Sequence, residues 1–147
     1  MSKLTPDQEA RRARMGLLAR ARPSRLAALY PELPAHEVLR APECGAVMVR
    51  GRVGASGGPF NLGEMTVTRC SLRLPDGTVG HAYVQGRDKD HALRAAAIDA
   101  LSEAGQGDVA PVFEALRAEE AERRRTRAEK AAATKVEFFT MVRGEDQ

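Results

Sequence analysis

The clearest structural signal in this chain lies in residues 64–85, which read EMTVTRCSLRLPDGTVGHAYVQ. The first half alternates with a period of two, as a β-strand does, and places one set of side chains on a common face: Thr66, Thr68, Cys70, Leu72 and Leu74. Pro75-Asp76-Gly77 is a strong turn signal. The second half returns as another strand, with three side chains on one side: Val79, His81 and Tyr83. The stretch therefore predicts an antiparallel hairpin.

Two further strand patterns precede this hairpin. Residues 37–40 form a short strand pattern, and residues 46–53 alternate well between valines on one face and arginines on the other: Val47, Val49 and Val53 against Arg50 and Arg52. The glycine-rich residues 54–59 separate these strands from the hairpin as a loop. Together the patterns predict a four-stranded antiparallel meander over residues 36–85.

Helical patterns flank the strands on both sides. Thr5 is a typical N-cap with Pro6 at the first helical position, and Pro23 ends that helix because the residue before a proline is pushed out of the α region. Residues 24–30 follow as a short second helix. Downstream of the strands, Asp88 caps a third helix with an alanine-rich apolar stripe: Leu93, Ala96, Ala97, Ala100 and Leu101.

A fourth helical pattern runs from Val109 to about Lys130, and from Arg117 onward it is charged on all sides. The chain is thus predicted to be an α+β protein in which N-terminal helices and C-terminal helices pack on the meander. Its 147 residues fit a single domain. The predicted parts are N-terminal helices, a β-meander, further helices and a C-terminal apolar tail: residues 1–35, 36–85, 86–130 and 131–147.

The composition predicts a thin hydrophobic core. Leu, Ile, Val and Phe together contribute only 29 of the 147 residues, whereas Ala contributes 25. A share of about one fifth lies at the border of disordered composition, but the net charge of only +3 and the period-2 strands favour a folded chain. We therefore expect partner chains to supply apolar contacts, and the isolated chain to be marginally stable.

Several classes of protein are excluded by simple counts. No stretch approaches the roughly 20 apolar residues that a membrane span needs, so no membrane contact is expected. The arginine-rich N-terminus lacks the apolar run of a secretory signal, so the chain is predicted to be cytoplasmic. Cys44 and Cys70 are interpreted as two reduced, buried thiols. No metal site is predicted, and two cysteines cannot hold an iron–sulfur cluster or a four-cysteine zinc site.

The segment Gly86-Arg-Asp-Lys-Asp-His91 is the best candidate for a ligand site. It joins a strand end to a helix N-terminus, where free N–H groups and the helix dipole favour anions. Arg87 and Lys89 would add positive charge and hydrogen-bond donors suited to phosphate or phosphonate, and His91 is the third candidate contact. The simpler alternative is an Asp88 cap with solvated neighbours, and both interpretations can hold together.

Two other segments leave alternatives open. The glycines of residues 51–58 lack the Gly-Lys-Ser/Thr of a phosphate-binding loop and favour a hairpin loop, although contact with an extended ligand or partner chain remains open. The C-terminal tail carries two Phe, two Val and one Met after a charged helix, and four of these are candidate partner contacts: Phe138, Phe139, Met141 and Val142. These side chains either fold back on the sheet or dock on another chain, as exposed apolar segments do.

A basic N-terminal region raises nucleic-acid binding as a weaker alternative. Residues 1–25 hold seven Lys or Arg against two acids. The chain has few aromatic side chains for base stacking and no recognised DNA or RNA module, so no nucleic-acid partner is expected.

Several blocks of the sequence resemble one family in the same order. They are RMGLLA at residues 14–19, EVLRA at 37–41, GGPFNLGEMTVTRC at 57–70, VQGRDK at 84–89 with His91-Ala92, and FFTMVRG at 138–144. These blocks are similar to the PhnG family, the G subunit of the bacterial carbon–phosphorus lyase system for phosphonate use, and they span nearly the whole chain.

The resemblance implies a partnered role. It implies a two-fold core complex with the H, I and J subunits, with the L protein associated. With I, H and L, the G subunit would support transfer of the ribose triphosphate moiety of ATP to an alkylphosphonate, with release of adenine. ATP is then a substrate of the complex, no cofactor is bound by this chain, and no established catalytic residue is carried over. We expect an assembly or accessory subunit; the alternative is a purely structural interaction protein.

Overall fold

The computed structural model describes residues 3–136 and has an α+β architecture, as the sequence predicts. Its helices are α1 (Pro6–Arg20), α2 (Pro23–Leu29), α3 (Lys89–Ala104) and α4 (Ala110–Ala133). Its strands are β1 (Glu37–Arg52), β2 (Pro59–Arg73) and β3 (Val79–Gln85), with a short 3-10 turn at Val53–Ala55. None of the helices in the described part of the chain is long and apolar enough to cross a membrane.

The described sheet has three antiparallel strands in the order β1-β2-β3, so the prediction of four strands is wrong. The two strands predicted before the hairpin are one continuous strand, β1. Pro42 lies within β1 and is tolerated because β1 lies at the edge of the sheet, where a missing N–H can face outward. Two register shifts, one between Val38 and Arg40 and one across Pro42 between Arg40 and Glu43, absorb the irregularity as β-bulges.

The hairpin of β2 and β3 forms as predicted. Cys70 lies opposite Ala82, and the turn closes where the Leu74 N–H donates to the Thr78 carbonyl at 2.9 Å. Gly77 takes a positive φ of 92°, which explains the glycine at this position. Asp76 also accepts a hydrogen bond from the Thr78 N–H at 2.9 Å.

The predicted helix caps are confirmed. Thr5 and Gln8 form a reciprocal capping box at the start of α1, and the Asp88 carboxylate accepts from the His91 N–H at the start of α3. The helix α3 ends at Gly105, whose φ of 63° is the left-handed conformation of a glycine C-cap.

The core is built from α3 lying very close to the sheet. Five buried alanines lie on this helix: Ala92, Ala95, Ala96, Ala97 and Ala100. At Gly80 of β3, a Cβ atom would lie only 2.0 Å from the Ala96 carbonyl oxygen. Small side chains on both surfaces therefore allow the backbones to approach, which explains how a chain poor in large apolar residues still forms a buried core.

A buried ion pair joins α1, α3 and β3. Asp99 has no exposed side-chain surface, and its carboxylate accepts from Arg11 Nη2 at 2.7 Å and Nε at 3.2 Å. It also accepts from the His81 N–H at 2.9 Å. The hydrogen bond to Asp99 raises the pKa of Arg11 above its usual value, so the guanidinium stays charged. No local pattern in the sequence indicates this contact, because Arg11 and Asp99 are 88 positions apart.

The helix α4 changes character along its length, as its sequence predicts. Val112, Phe113 and Leu116 are buried, whereas residues 121–136 are all exposed. Between these two parts of α4, Glu119 forms an ion pair with Arg25 at 2.6 Å and Glu120 forms one with Arg20 at 2.7 Å. The four apolar tail residues, Phe138, Phe139, Met141 and Val142, lie outside the described residues, so their predicted docking stays a prediction.

Candidate functional site

The loop between β3 and α3 is held by hydrogen bonds from β1 and β2. The buried Thr68 hydroxyl donates to the Gly86 carbonyl at 2.8 Å, and the Gly86 N–H donates to the Thr66 carbonyl at 2.9 Å. The Cys44 thiol lies 3.7 Å from the Arg87 carbonyl oxygen, a weak hydrogen bond. The backbone at Gly86, with a φ of 90°, is therefore fixed by two neighbouring strands.

This anchoring presents Arg87 and Lys89 to solvent. Both residues are exposed at the start of α3, and neither forms an ion pair within residues 3–136. The Asp88 carboxylate is engaged in capping, because it accepts from the His91 N–H at 2.8 Å. Asp90 is also exposed in the first turn and offsets part of the positive charge. The loop thus offers two exposed cations beside a helix N-terminus, neither of them paired with a carboxylate in the described part of the chain.

His91 does not join these two cations. It is only 1% exposed, and its Nε2 donates to the Leu18 carbonyl of α1 at 2.8 Å. Burial lowers the pKa of His91, against the opposing effect of the Leu18 hydrogen bond, and keeps the imidazole neutral. The side chain therefore belongs to the packing between α1 and α3, and the structure brings together only Arg87 and Lys89 of the three predicted contacts.

The two cysteines differ in environment. Cys70 is buried and free, and burial raises the pKa of its thiol. Cys44 is free but exposed, so the prediction of two buried thiols is wrong for Cys44. It sits on the edge strand β1, where its thiol lies 3.4 Å from the Thr68 hydroxyl. Sequence spacing gives no sign of this contact, since the register of β1 on β2 creates it.

A serine–histidine pair lies on the face of the sheet that points away from α3. Ser71 Oγ and His81 Nδ1 are 2.8 Å apart and lie directly opposite each other on β2 and β3. Within residues 3–136, no carboxylate accepts a hydrogen bond from the imidazole ring of His81, as a hydrolytic triad requires. In the same part of the chain, no three His, Cys, Asp or Glu side chains cluster as metal ligands.

The fold and this loop define a small α+β protein with an anchored, basic strand-to-helix connection. The sequence profile of one family, described as phosphonate metabolism protein PhnG, matches residues 9–144. The chain belongs to this family, as the sequence blocks predict.

A curated relative also matches over most of the chain. The chain is 47% identical over 141 residues to a protein of Rhizobium meliloti (strain 1021) named alpha-D-ribose 1-methylphosphonate 5-triphosphate synthase subunit PhnG. The match covers 92% of this chain and 90% of the relative. The similarity therefore extends through the helices and the sheet, and it includes the anchored loop.

Proposed function

We propose that this chain is a subunit of a cytoplasmic carbon–phosphorus lyase core complex. The complex transfers the ribose triphosphate moiety of ATP to an alkylphosphonate and releases adenine, giving a ribose 1-alkylphosphonate 5-triphosphate. The observation that carries this proposal is the match to a named synthase subunit, which covers about nine tenths of both chains.

The role within the complex is accessory. The partners are the H, I and J subunits in a two-fold core, with L associated, and no cofactor is bound by this chain. The exposed second half of α4 and the thin core support a chain that depends on neighbours for part of its packing. The described part of the chain also lacks an oriented nucleophile and base, which supports placing the chemistry on a partner.

Arg87 and Lys89 would contact a phosphate or phosphonate group at the edge of the shared site. Three observations support this contact: both side chains are exposed, the backbone before them is held by hydrogen bonds, and neither has an ion-pair partner within residues 3–136. Replacing both with alanine should leave assembly intact and lower kcat/KM for ribosyl transfer about tenfold or more, since charged hydrogen bonds contribute roughly 1.5–3 kcal/mol each. The control is Arg12→Ala with Arg40→Ala, which removes two exposed cations outside this loop and outside α4. Full activity in the Arg87/Lys89 variant would exclude the contact.

A purely structural interaction protein is the second candidate function. The exposed charged half of α4 favours it, because a helix that is polar on all sides bridges to a partner or is unstable alone. On this alternative only interface changes, such as Phe138→Ala or Phe139→Ala, would lower activity, and they would do so by releasing the subunit.

The proposal is tested by reconstitution. Adenine release from ATP and methylphosphonate is measured with the H, I and L components, with and without this chain. We expect release to require the chain. Equal release without the chain would refute the proposed function.

A further inference from the structure

A two-stranded ribbon extends beyond the part of the sheet that α3 covers. The pairing of β2 with β3 involves only Val67–Arg73, whereas the pairing of β1 with β2 continues to the far end, where Arg52 lies opposite Pro59. We call residues 46–52 of β1 and 59–66 of β2 the ribbon. None of its side chains belongs to the core cluster of the described residues.

The apolar face of the ribbon is opposite to the face that α3 covers. Along β2, alternate residues Thr68, Cys70 and Leu72 are buried toward α3. The intervening positions, such as Met65, lie on the other face together with Val47 and Val49 of β1. A register shift between Val49 and Arg50 then brings Phe60 and Leu62 of β2 onto this same face, so that it carries five large apolar side chains. A Cβ atom at Gly51 would lie 3.5 Å from the Phe60 ring and 3.9 Å from Leu62 Cβ, which places these two on the face of Gly51.

Two of the apolar side chains that β2 contributes to this face are more exposed than those of β1. The two valines of β1 are half-buried, whereas Phe60 is 42% and Leu62 is 66% exposed. A long exposed apolar surface of this kind marks an interaction site. The exposed side of the ribbon is the side of β2 on which β3 would lie if it continued. The chain leaves this side at Gly86, where it turns toward α3.

The same side of β2 has a free sheet edge. The last bond on the β3 side of β2 joins the Gly86 N–H to the Thr66 carbonyl, and on that side no strand of residues 3–136 lies beside Pro59–Met65. Because alternate residues of an antiparallel strand point their N–H and C=O groups to the same side, Glu64 also faces this edge. A strand added here would continue the line of β3.

The charges of the ribbon identify the kind of chain that fits. Arg50 and Arg52 lie on the polar face without carboxylate partners within residues 3–136, and Glu64 is the only acid of the ribbon. A second copy of this ribbon would bring four arginines together against two glutamates. A different polypeptide with acidic residues therefore fits better than a second copy.

We propose that an extended segment of another polypeptide adds as a β-strand beside Pro59–Met65. Its alternate apolar side chains pack beside Phe60 and Leu62, and acidic side chains between them face Arg50 and Arg52. The proposal rests on the proposed function, because the segment belongs to a partner subunit of the complex.

The first test measures assembly of the co-expressed complex. Leu62→Ser should weaken recovery of the complex about tenfold or more, because buried apolar anchors dominate interfaces. Met48→Ser is the matched control, since Met48 is 54% exposed on the opposite face of the ribbon. It should assemble within about twofold of the wild type, an effect below the hot-spot range. Wild-type assembly of Leu62→Ser, or equal loss in both variants, would overturn the proposal.

The second test separates strand addition from side-chain packing. Hydrogen exchange of residues 59–66 is compared between the isolated chain and the complex. We expect the edge-facing Glu64 amide to become protected in the complex, and unchanged exchange would overturn the added strand. Self-association of the isolated chain that Leu62→Ser abolishes would assign the ribbon to a second copy and also overturn the proposal.

The outcomes also separate this inference from the proposed function. A complex that assembles through the ribbon but releases no adenine would refute the proposed function and leave the ribbon assignment standing. An active complex that contains Leu62→Ser at wild-type affinity would refute the ribbon assignment alone.

Discussion

Replacing Asp99 with asparagine removes one charge from the centre of the fold and keeps the size of the side chain. The carboxylate accepts two hydrogen bonds from Arg11 and one from the His81 N–H, and its side chain is fully buried. An asparagine offers one oxygen and one NH2 group, so the NH2 group must face a donor. The substitution therefore tests whether this carboxylate holds α1, α3 and β3 together.

The expected loss in the free energy of unfolding follows from the burial of the Arg11–Asp99 ion pair. Breaking a buried ion pair costs about 3–5 kcal/mol. Arg11 keeps 29% of its side chain exposed and has Glu103 at 3.3 Å, so part of its charge remains compensated. We therefore expect a loss of about 2–4 kcal/mol in the free energy of unfolding, or a Tm lowered by roughly 10 °C for a chain of this size.

Urea unfolding followed by circular dichroism measures this loss. Glu103→Gln is the matched control, because it also removes one carboxylate charge from the Arg11 neighbourhood but at a partly exposed position. It should cost less than about 1 kcal/mol. An Asp99→Asn cost no larger than that of Glu103→Gln would refute the structural role of the buried pair.

Two further predictions concern the core. Gly80→Ala should destabilise the fold by about 1–3 kcal/mol or more in urea unfolding, because the added methyl would collide with the Ala96 carbonyl oxygen. Lowering the pH from 7.5 to 5.5 should reduce stability by up to about 1.4 kcal/mol per pH unit below about pH 6.5, because unfolded His91 takes up a proton that the folded imidazole does not. Glu120 contributes little in this window, since its pKa is lowered by the hydrogen bond from Arg20.

Each of these two predictions has a control variant. Gly45→Ala adds a methyl group where nothing lies within 4 Å, so a loss equal to that of Gly80→Ala would contradict the close approach of α3. His91→Gln removes the titrating group. A pH slope that persists unchanged in this variant would show that another group causes it.

Local sequence signals predicted the helix starts and the hairpin well. The Thr5 and Asp88 caps act over three residues, and the Pro75-Asp76-Gly77 turn acts over four, so both are visible in the sequence. The error in strand number arose at residues 41–45, which lie between the two predicted strands and include Pro42. A proline is tolerated there because β1 is an edge strand. Edge position is set by the whole sheet and not by neighbouring residues.

Long-range contacts could not be predicted in the same way. The period of two correctly separated Val47 and Val49 from Arg50 and Arg52, whereas Val53 lies beyond β1 in the 3-10 turn. The pattern did not show that the face of Val47 and Val49 turns away from α3. Likewise, the helix pattern did not show that His91 would meet the Leu18 carbonyl, 73 residues earlier. Which surface of a strand or helix is buried depends on how the elements pack together. The same packing, of α1 against α3, brings Arg11 to Asp99.

The most direct test of the subunit role is a titration of this chain into fixed amounts of the H, I and L components with ATP and methylphosphonate. The initial rate of adenine release should rise with added chain and reach a plateau when the chain is equimolar with the I subunit. A rate that does not respond to the chain, or adenine release by the chain alone, would contradict an accessory subunit of the synthase.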